Sequence, residues 1–273
     1  MYERELATAV TLAREAGRIL MEVYATAFDV VFKSASDPVT QADQRANAFL
    51  VEKLRAAFPE DGVIAEESGA DAGAHARARC WYVDPLDGTK EFIARNGEFS
   101  VMLGLAVDGR PRLGVVYQPE HDKLYRGVVG EGAFLEHAGA TTSLRVSGTA
   151  EPARLRLVVS RSHRPKGTDE LVRRLGVQSE TPSGSVGLKI GHIAERNADF
   201  YVHLSGHASR WDSCGPEAVL VAAGGKLTDL FGAAIDYDGR EFLNRRGIFA
   251  CNAAAFDAVL PTVRAIAREA GFA

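Results

Sequence analysis

Apolar residues recur along this chain with two different periods. Near the start, Leu6, Val10, Ala13, Gly17, Leu20 and Tyr24 return every three or four positions. That period predicts an amphipathic helix over residues 3–24. A short apolar run at residues 30–32 predicts a strand, and Ser36-Asp37-Pro38 a turn. A second helix is expected over residues 41–58, stopped by Pro59, and Thr40-Gln41-Ala42-Asp43 at its start has the spacing of a capping box. The pattern then changes. Apolar runs at 63–65, 81–83, 100–107, 113–117 and 124–129 are separated by turn signals such as Asp108-Gly109. Successive strands with short links favour an antiparallel sheet. Gly130-Glu131-Gly132-Ala133-Phe134 lacks the strand-turn-helix context of a dinucleotide fingerprint and reads as a tight turn.

Beyond residue 147 strands and helices alternate. Strands are expected at 155–159, 200–203 and 248–250, and helices at 169–175, 185–196, 213–223 and 253–270. Gly224-Gly225 ends the third of these helices. Alternation of this kind predicts an α/β layer. The expected architecture is an α+β half, residues 1–145, joined without a long polar linker to an α/β half, residues 146–273. Composition narrows the class further. With 46% hydrophobic and 25% charged residues the chain resembles a soluble globular protein, and a net charge of −4 argues against a partner made of nucleic acid polymer. No apolar run approaches the roughly 20 residues of a membrane span. The acidic start MYERELATAV lacks the basic and apolar regions of a signal peptide. Cys80, Cys214 and Cys251 have no metal-type spacing, and three cannot all pair, so a cytoplasmic location is expected.

Candidate chemistry comes from acidic residues at the edges of apolar elements. Glu66 and Glu67 follow the run at 63–65, Asp84 and Asp87 bracket the turn after 81–83, and Asp212 follows Trp211 at a helix start. Asp43 lies in register with Ala46, Asn47, Leu50 and Leu54, toward the packed face. Singly, each has an ordinary explanation: Asp212 as an N-cap, Asp43 in a capping box, Asp87-Gly88 as a turn, the glutamates as solvated groups. Together those explanations weaken. Two like charges about 4 Å apart repel by roughly 4 kcal/mol at an effective dielectric near 20, so gathered carboxylates need cations between them. Hard oxygen ligands suit Mg²⁺. In Asp84-Pro85-Leu86-Asp87-Gly88-Thr89, two carboxylates three residues apart can hold a pair of ions, and the Gly88 and Thr89 amides can face a phosphate. Ion pairs about 3.5–4 Å apart are common machinery for displacement at phosphorus. Metal-assisted phosphate ester hydrolysis is the leading chemistry.

At these residues the sequence resembles the inositol monophosphatase family of lithium-sensitive, Mg²⁺-dependent phosphatases. Residues 84–89 resemble its first signature, and Trp211-Asp212-Ser213-Cys214-Gly215-Pro216-Glu217 through Ala223-Gly224-Gly225 its second. Glu66-Glu67-Ser68 and Val39-Thr40 with Asp43 match its other elements, in family order over nearly the whole chain. The resemblance implies a layered αβαβα sugar-phosphatase fold, with Mg²⁺, two or more ions per site, held by Glu66, Asp84, Asp87, Asp212 and the Leu86 carbonyl. It implies that Asp43 and Thr89 form a pair that positions and helps deprotonate the attacking water, and that the Gly88 and Thr89 amides hold phosphate.

The extension Lys90-Glu91-Phe92 resembles the 3′(2′),5′-bisphosphate nucleotidase branch, as does Gly224 through Asp229. Ser160-Arg161-Ser162-His163 resembles the element with which bacterial members approach the nucleotide, which makes Ser160 and His163 candidate substrate contacts. Lys189 falls at helical spacing with Val186, Ile190 and Ile193. It either snorkels, with its ammonium in water, or meets the second phosphate that the branch binds with a lysine here. One departure is Ser185-Val186-Gly187-Leu188, where many bacterial members carry Ser-Ser-Leu-Lys. Ser162-His163 lacks a nucleophile elbow, His192, His203 and His207 lack a zinc motif and read as structural, and Arg161, Arg164 and Lys166 form either a solvated face or an anion-attracting one. The expected activity is release of the 3′-phosphate of adenosine 3′,5′-bisphosphate. Hydrolysis of inositol or another small sugar or alcohol phosphate is the alternative, and a non-catalytic nucleotide sensor a third. The oligomeric state is open, with a homodimer among the options.

Overall fold

A computed structural model describes the chain apart from residues 35–36, 72, 75–76, 163 and 239–240, and only the backbone of 32–34 and 37. The strands β3 (Gly62–Ala65), β4 (Gly69–Ala70), β5 (Arg79–Asp87), β6 (Ser100–Val107), β7 (Arg110–Gln118), β8 (Lys123–Val128), β9 (Gly132–His137) and β10 (Ala140–Leu144) follow a hairpin of β1 (Val30–Ser34) and β2 (Asp37–Thr40). They form an eight-stranded sheet in the order β10-β9-β8-β7-β6-β5-β3-β4. It is antiparallel except where β3 runs parallel to β5.

Both faces of this sheet are covered, which explains its nearly unbroken apolar runs. In β6, Val101, Leu103 and Leu105 point to one side, where they pack with the helices α1 (Glu3–Tyr24) and α2 (Gln41–Ala57). Met102 and Ala106 point to the other, toward α5 (Val186–Ala194) and α6 (Arg210–Ala222). The same alternation sends Trp81 and Val83 of β5 one way and Tyr82 the other.

A second sheet has the order β12-β11-β13-β15-β14, from β11 (Arg156–Ser160), β12 (Ser179–Ser183), β13 (Phe200–His203), β14 (Gly225–Thr228) and β15 (Ile248–Asn252). Its β11, β12 and β13 are parallel, whereas β15 is antiparallel to both neighbours. Val158, Tyr201 and Ala250 face α5 and α6, while Leu157, Phe200 and Phe249 face α4 (Thr168–Leu175) and α7 (Phe256–Glu269). The layers are thus α1/α2, first sheet, α5/α6, second sheet, α4/α7: the five-layered αβαβα arrangement that the sequence led us to expect.

Helix α6 sits unusually close to the first sheet. A Cβ on Gly104 would lie 2.4 Å from the Gly215 nitrogen, one on Gly114 2.0 Å from its oxygen, and one on Gly215 2.6 Å from the Leu103 oxygen. Only hydrogen fits on all three, so the helix backbone rests directly on the strands.

Some expectations need correction. Asp37 and Pro38 open β2 rather than forming a turn, and Ser36 lies outside the described residues. Helix α6 begins three residues earlier than expected, so Asp212 is in its first turn and not its N-cap. Strands β4, β9, β10, β12 and β14 were not expected. In β10 and β12 all but the last residue is exposed, so no apolar pattern marks them. Among the described residues no helix is long and apolar enough to cross a membrane.

Candidate active site

Strand pairing gathers the first carboxylates. Parallel register sets Ala65 beside Val83, so Glu66 leaves β3 next to the point where β5 reaches Asp84, and its amide donates to the Val83 carbonyl at 3.1 Å. Asp84 pairs with Met102 and Asp87 with Ser100, which leaves two residues on β5, Pro85 and Leu86, against one on β6, Val101. This is a bulge, and it reverses the side-chain parity. On a regular strand, residues three apart point to opposite faces. Here Asp84 and Asp87 both take the Met102 face, toward α5 and α6. The Leu86 amide donates to Asp84 Oδ1 at 2.9 Å and holds the turn.

The opposite side is built from helix starts. Asp212, in the first turn of α6, accepts the Ser209 amide at 2.7 Å. At the start of α5, Ser185 Oγ donates to Asp87 Oδ2 at 2.5 Å and the Gly187 amide to the same oxygen at 3.0 Å. Ser185 has φ +43°, a costly value for a residue with a Cβ, held here by these bonds and by its Oγ accepting the Leu188 amide at 3.1 Å.

Burial, with the charges of Glu66, Asp87 and Asp212, pushes the Asp84 carboxyl well above its ordinary range. Burial and the Asp87 and Glu66 charges do the same to Asp212. Asp87 is raised by burial too, but the Lys189 ammonium and the Ser185 and Gly187 donors oppose the rise. These carboxylates therefore feel one another's charge. Among the described residues no three acidic, histidine or cysteine side chains close on one point at coordination distance. Asp84, Asp87 and Asp212 each hold a protein donor, yet a carboxylate has two oxygens and one remains for a cation. An all-oxygen set in a crowded negative field fits a hard divalent ion such as Mg²⁺.

Asp43 and Thr89 meet across the site. Thr89 Oγ1 donates to Asp43 Oδ1 at 3.1 Å and lies 3.3 Å from the Leu86 carbonyl. Asp43 Oδ2 accepts the Thr40 amide at 2.8 Å and the Thr40 hydroxyl at 2.7 Å, completing the capping box. Burial raises the Asp43 carboxyl, against the lowering by Thr40. Gly88, with φ +97°, caps the five-residue helix α3 (Thr89–Ile93).

A cavity of about 290 Å³ opens beside these groups, lined by Asp87, Gly88, Thr89 and Asp212 and, from the second half, by Ser160, Ser185, Lys189, Tyr201 and His203. Glu66 and Asp84 stand outside this lining, coupled to it through charge. Lys189 does not snorkel. It is 3% exposed, its ammonium donates to the Ser185 carbonyl at 2.9 Å, and it lies 5.3 Å from the Tyr201 ring centroid. Burial lowers its pKa, against the raising charges of Asp87, Glu91, Glu98 and Asp212. His163 lies outside the described residues. Of the basic cluster, Arg161 pairs with Glu98, and Arg164 with Asp169 and Glu180. Sequence reading missed Tyr201 and His203 as cavity residues. They are two apart on β13, with the Tyr201 hydroxyl 3.0 Å from His203 Nδ1, and period-two alternation beside a candidate site was the signal available.

Known proteins resemble the chain over nearly its whole length. The sequence pattern of the inositol monophosphatase family matches residues 1–268. The 3′(2′),5′-bisphosphate nucleotidase CysQ of Escherichia coli K12 is 40% identical over 238 residues, covering 85% of this chain and 94% of its own. Inositol monophosphatase 1 of Rattus norvegicus is 30% identical over 260 residues, covering 90% and 89%. Among solved structures, a Thermotoga maritima IMPase superposes with a TM-score of 0.82 at 26% identity, over 98% of this chain and 99% of that one.

Proposed function

The chain belongs to the inositol monophosphatase family, and from that premise we propose that it is a Mg²⁺-dependent phosphatase that removes the 3′-phosphate of adenosine 3′,5′-bisphosphate to leave AMP. The observation that carries the nucleotide reading is Lys189, a buried ammonium lining a cavity that also holds Asp87 and Asp212. A cation there offers a second phosphate a partner that a monophosphate does not need. The 40% identity to a bisphosphate nucleotidase supports the same choice.

In this reading Glu66, Asp84, Asp87, Asp212 and the Leu86 carbonyl hold Mg²⁺, two or more ions per site. Bound there, Mg²⁺ would polarise the phosphoryl oxygens and lower the pKa of the attacking water. The chain's own groups do the rest. The Gly88 and Thr89 amides hold the phosphate. Thr89 Oγ1 orients the water and passes a proton to Asp43 Oδ1, and burial of Asp43 makes it a stronger base than an exposed aspartate. Ser160 and Lys189 contact the nucleotide side. The halves 1–145 and 146–273 act as one unit, because Asp43, Asp84 and Asp87 come from the first and Asp212 from the second.

The test is phosphate release from adenosine 3′,5′-bisphosphate, inositol 1-phosphate, fructose 1,6-bisphosphate and histidinol phosphate, with Mg²⁺ and with excess chelator. We expect the nucleotide to have the highest kcat/KM, millimolar Li⁺ to inhibit, and chelator to abolish turnover. Preference for inositol 1-phosphate would replace the nucleotide reading with its runner-up. Full activity in chelator would remove the metal.

A further inference from the structure

Two loops of the second half that wall the cavity are tied to a carboxylate of the first half that does not touch it. Glu98, between α3 and β6, accepts Arg161 Nε at 2.6 Å, Arg161 Nη2 at 2.6 Å and the Gly184 amide at 2.6 Å. Arg161 follows β11 and Gly184 follows β12. The same guanidinium donates to the Pro182 carbonyl at 3.1 Å, and the Arg161 amide to the Ser183 carbonyl at 3.0 Å. Ser160 and Gly184, next to these contacts, line the cavity, whereas Glu98 and Arg161 do not. A second tie runs alongside, with Ser162 Oγ donating to Glu91. The packing leaves no slack: a Cβ on Gly184 would lie 2.4 Å from the Glu98 carbonyl oxygen and 2.5 Å from Glu91 Cγ.

Resting on the nucleotidase reading above, we propose that Glu98 is a positioning residue for substrate specificity. Through Arg161 and Gly184 it holds the Ser160 and Gly184–Ser185 walls in place for the part of the substrate remote from the cleaved phosphate. Burial alone would raise its carboxyl, but the Arg161 fork and the Gly184 amide hold it below the usual range, so the tie persists at neutral pH. The cleaved phosphate meets the Gly88 and Thr89 amides, to which neither the Glu98 carboxylate nor the Arg161 guanidinium bonds, and Asp87 keeps its own bonds to Ser185 Oγ and the Gly187 amide. Loosening it costs affinity for a large substrate and leaves a small one alone.

The experiment compares KM and kcat of wild type, Glu98→Gln, Arg161→Lys and the double variant on two substrates. One is the ester that wild type turns over best in the panel above; the other is phenyl phosphate. We expect each single variant to raise KM for the first roughly tenfold, with kcat and both phenyl phosphate constants unchanged, and the double variant to do no worse than either single. Arg161→Lys keeps the charge and loses the fork, so it carries the test if Glu98→Gln fails to fold. A lower KM in Glu98→Gln would show Arg161 to be a phosphate binder that Glu98 holds back, and would overturn the proposal. Equal losses on both substrates would overturn it as well. Identity of the best substrate is judged on wild type alone, so the nucleotidase reading can fail while the tie is still decided.

Discussion

The two sides of the site are built in different ways. On the first-half side, Asp84, Leu86, Asp87, Gly88 and Thr89 come from six consecutive residues, and Glu66 joins them through one strand pairing. On the second-half side, Ser160, Lys189, Tyr201 and Asp212 come from four separate elements brought together by a five-stranded sheet and two helices. The local side is positioned by backbone: a bulge, an Asx-type turn and a helix start. The composite side depends on long-range packing. With Asp212 the one catalytic candidate on the composite side and the remaining recognition groups beside it, most of the substrate contacts could change while the reaction stays the same.

The sharpest way to break this comparison is to remove a carboxylate from each side. Asp87→Asn and Asp212→Asn should each lower kcat by at least about 10³-fold, on the scale of losing an essential catalytic group. Both should leave the chelated protein no less heat-stable than wild type, since each change removes one of several repelling charges. A large drop in melting temperature alongside the loss of activity would mean that these residues hold the fold instead. Thr89→Ala should follow with a loss of roughly 10²–10⁴ in kcat, the range of general acid–base assistance, at unchanged metal affinity by titration calorimetry. Lys189→Met should lower kcat/KM for the bisphosphate about 10- to 150-fold more than for phenyl phosphate, as a charge-assisted contact of roughly 1.5–3 kcal/mol requires. Equal losses would assign Lys189 to holding Asp87 and the Ser185 carbonyl.

The smallest effect on turnover concerns a group behind the composite side. Glu217 of α6 is buried, accepts the Tyr237 hydroxyl at 2.6 Å, and is pushed by burial up to about 8. Its folded pKa lies above the unfolded value near 4.5, so the native state binds the extra proton between the two. Stability from this residue is present below the unfolded value and is lost as pH rises toward 8, by several kcal/mol in all. Urea melts of Glu217→Gln should lack that fall between pH 5 and 8, with kcat little changed. An identical slope in both proteins would refute it.

The same local and composite division explains what could be read from the sequence. The acidic turn, Glu66 and the Asp43–Thr40 cap are short-range patterns, and their spacing made them visible. The bulge that puts Asp84 and Asp87 on one face was not visible, because parity depends on how β6 pairs. Asp212 was seen but misplaced: Ser209 starts the helix, and its separation of three from Asp212 is a capping-box signal hidden behind the stronger Trp-Asp-Ser motif. Lys189 illustrates the limit. Helical spacing put its stem on an apolar stripe, but whether the tip met water depended on Tyr201 and Asp87, both on other elements.

The seat of α6 on the first sheet has a consequence of its own. Gly104, Gly114 and Gly215 carry no reactive atom, yet their missing side chains fix how far the Asp212 helix stands from β6 and β7, and so from the sheet that bears Asp84. A single methyl group there would act as a shim, moving one carboxylate away from the others while every one of them stayed intact. The gauge of the site is therefore set by three hydrogen atoms, and a drift in it would be felt first as altered preference among cations of different radius.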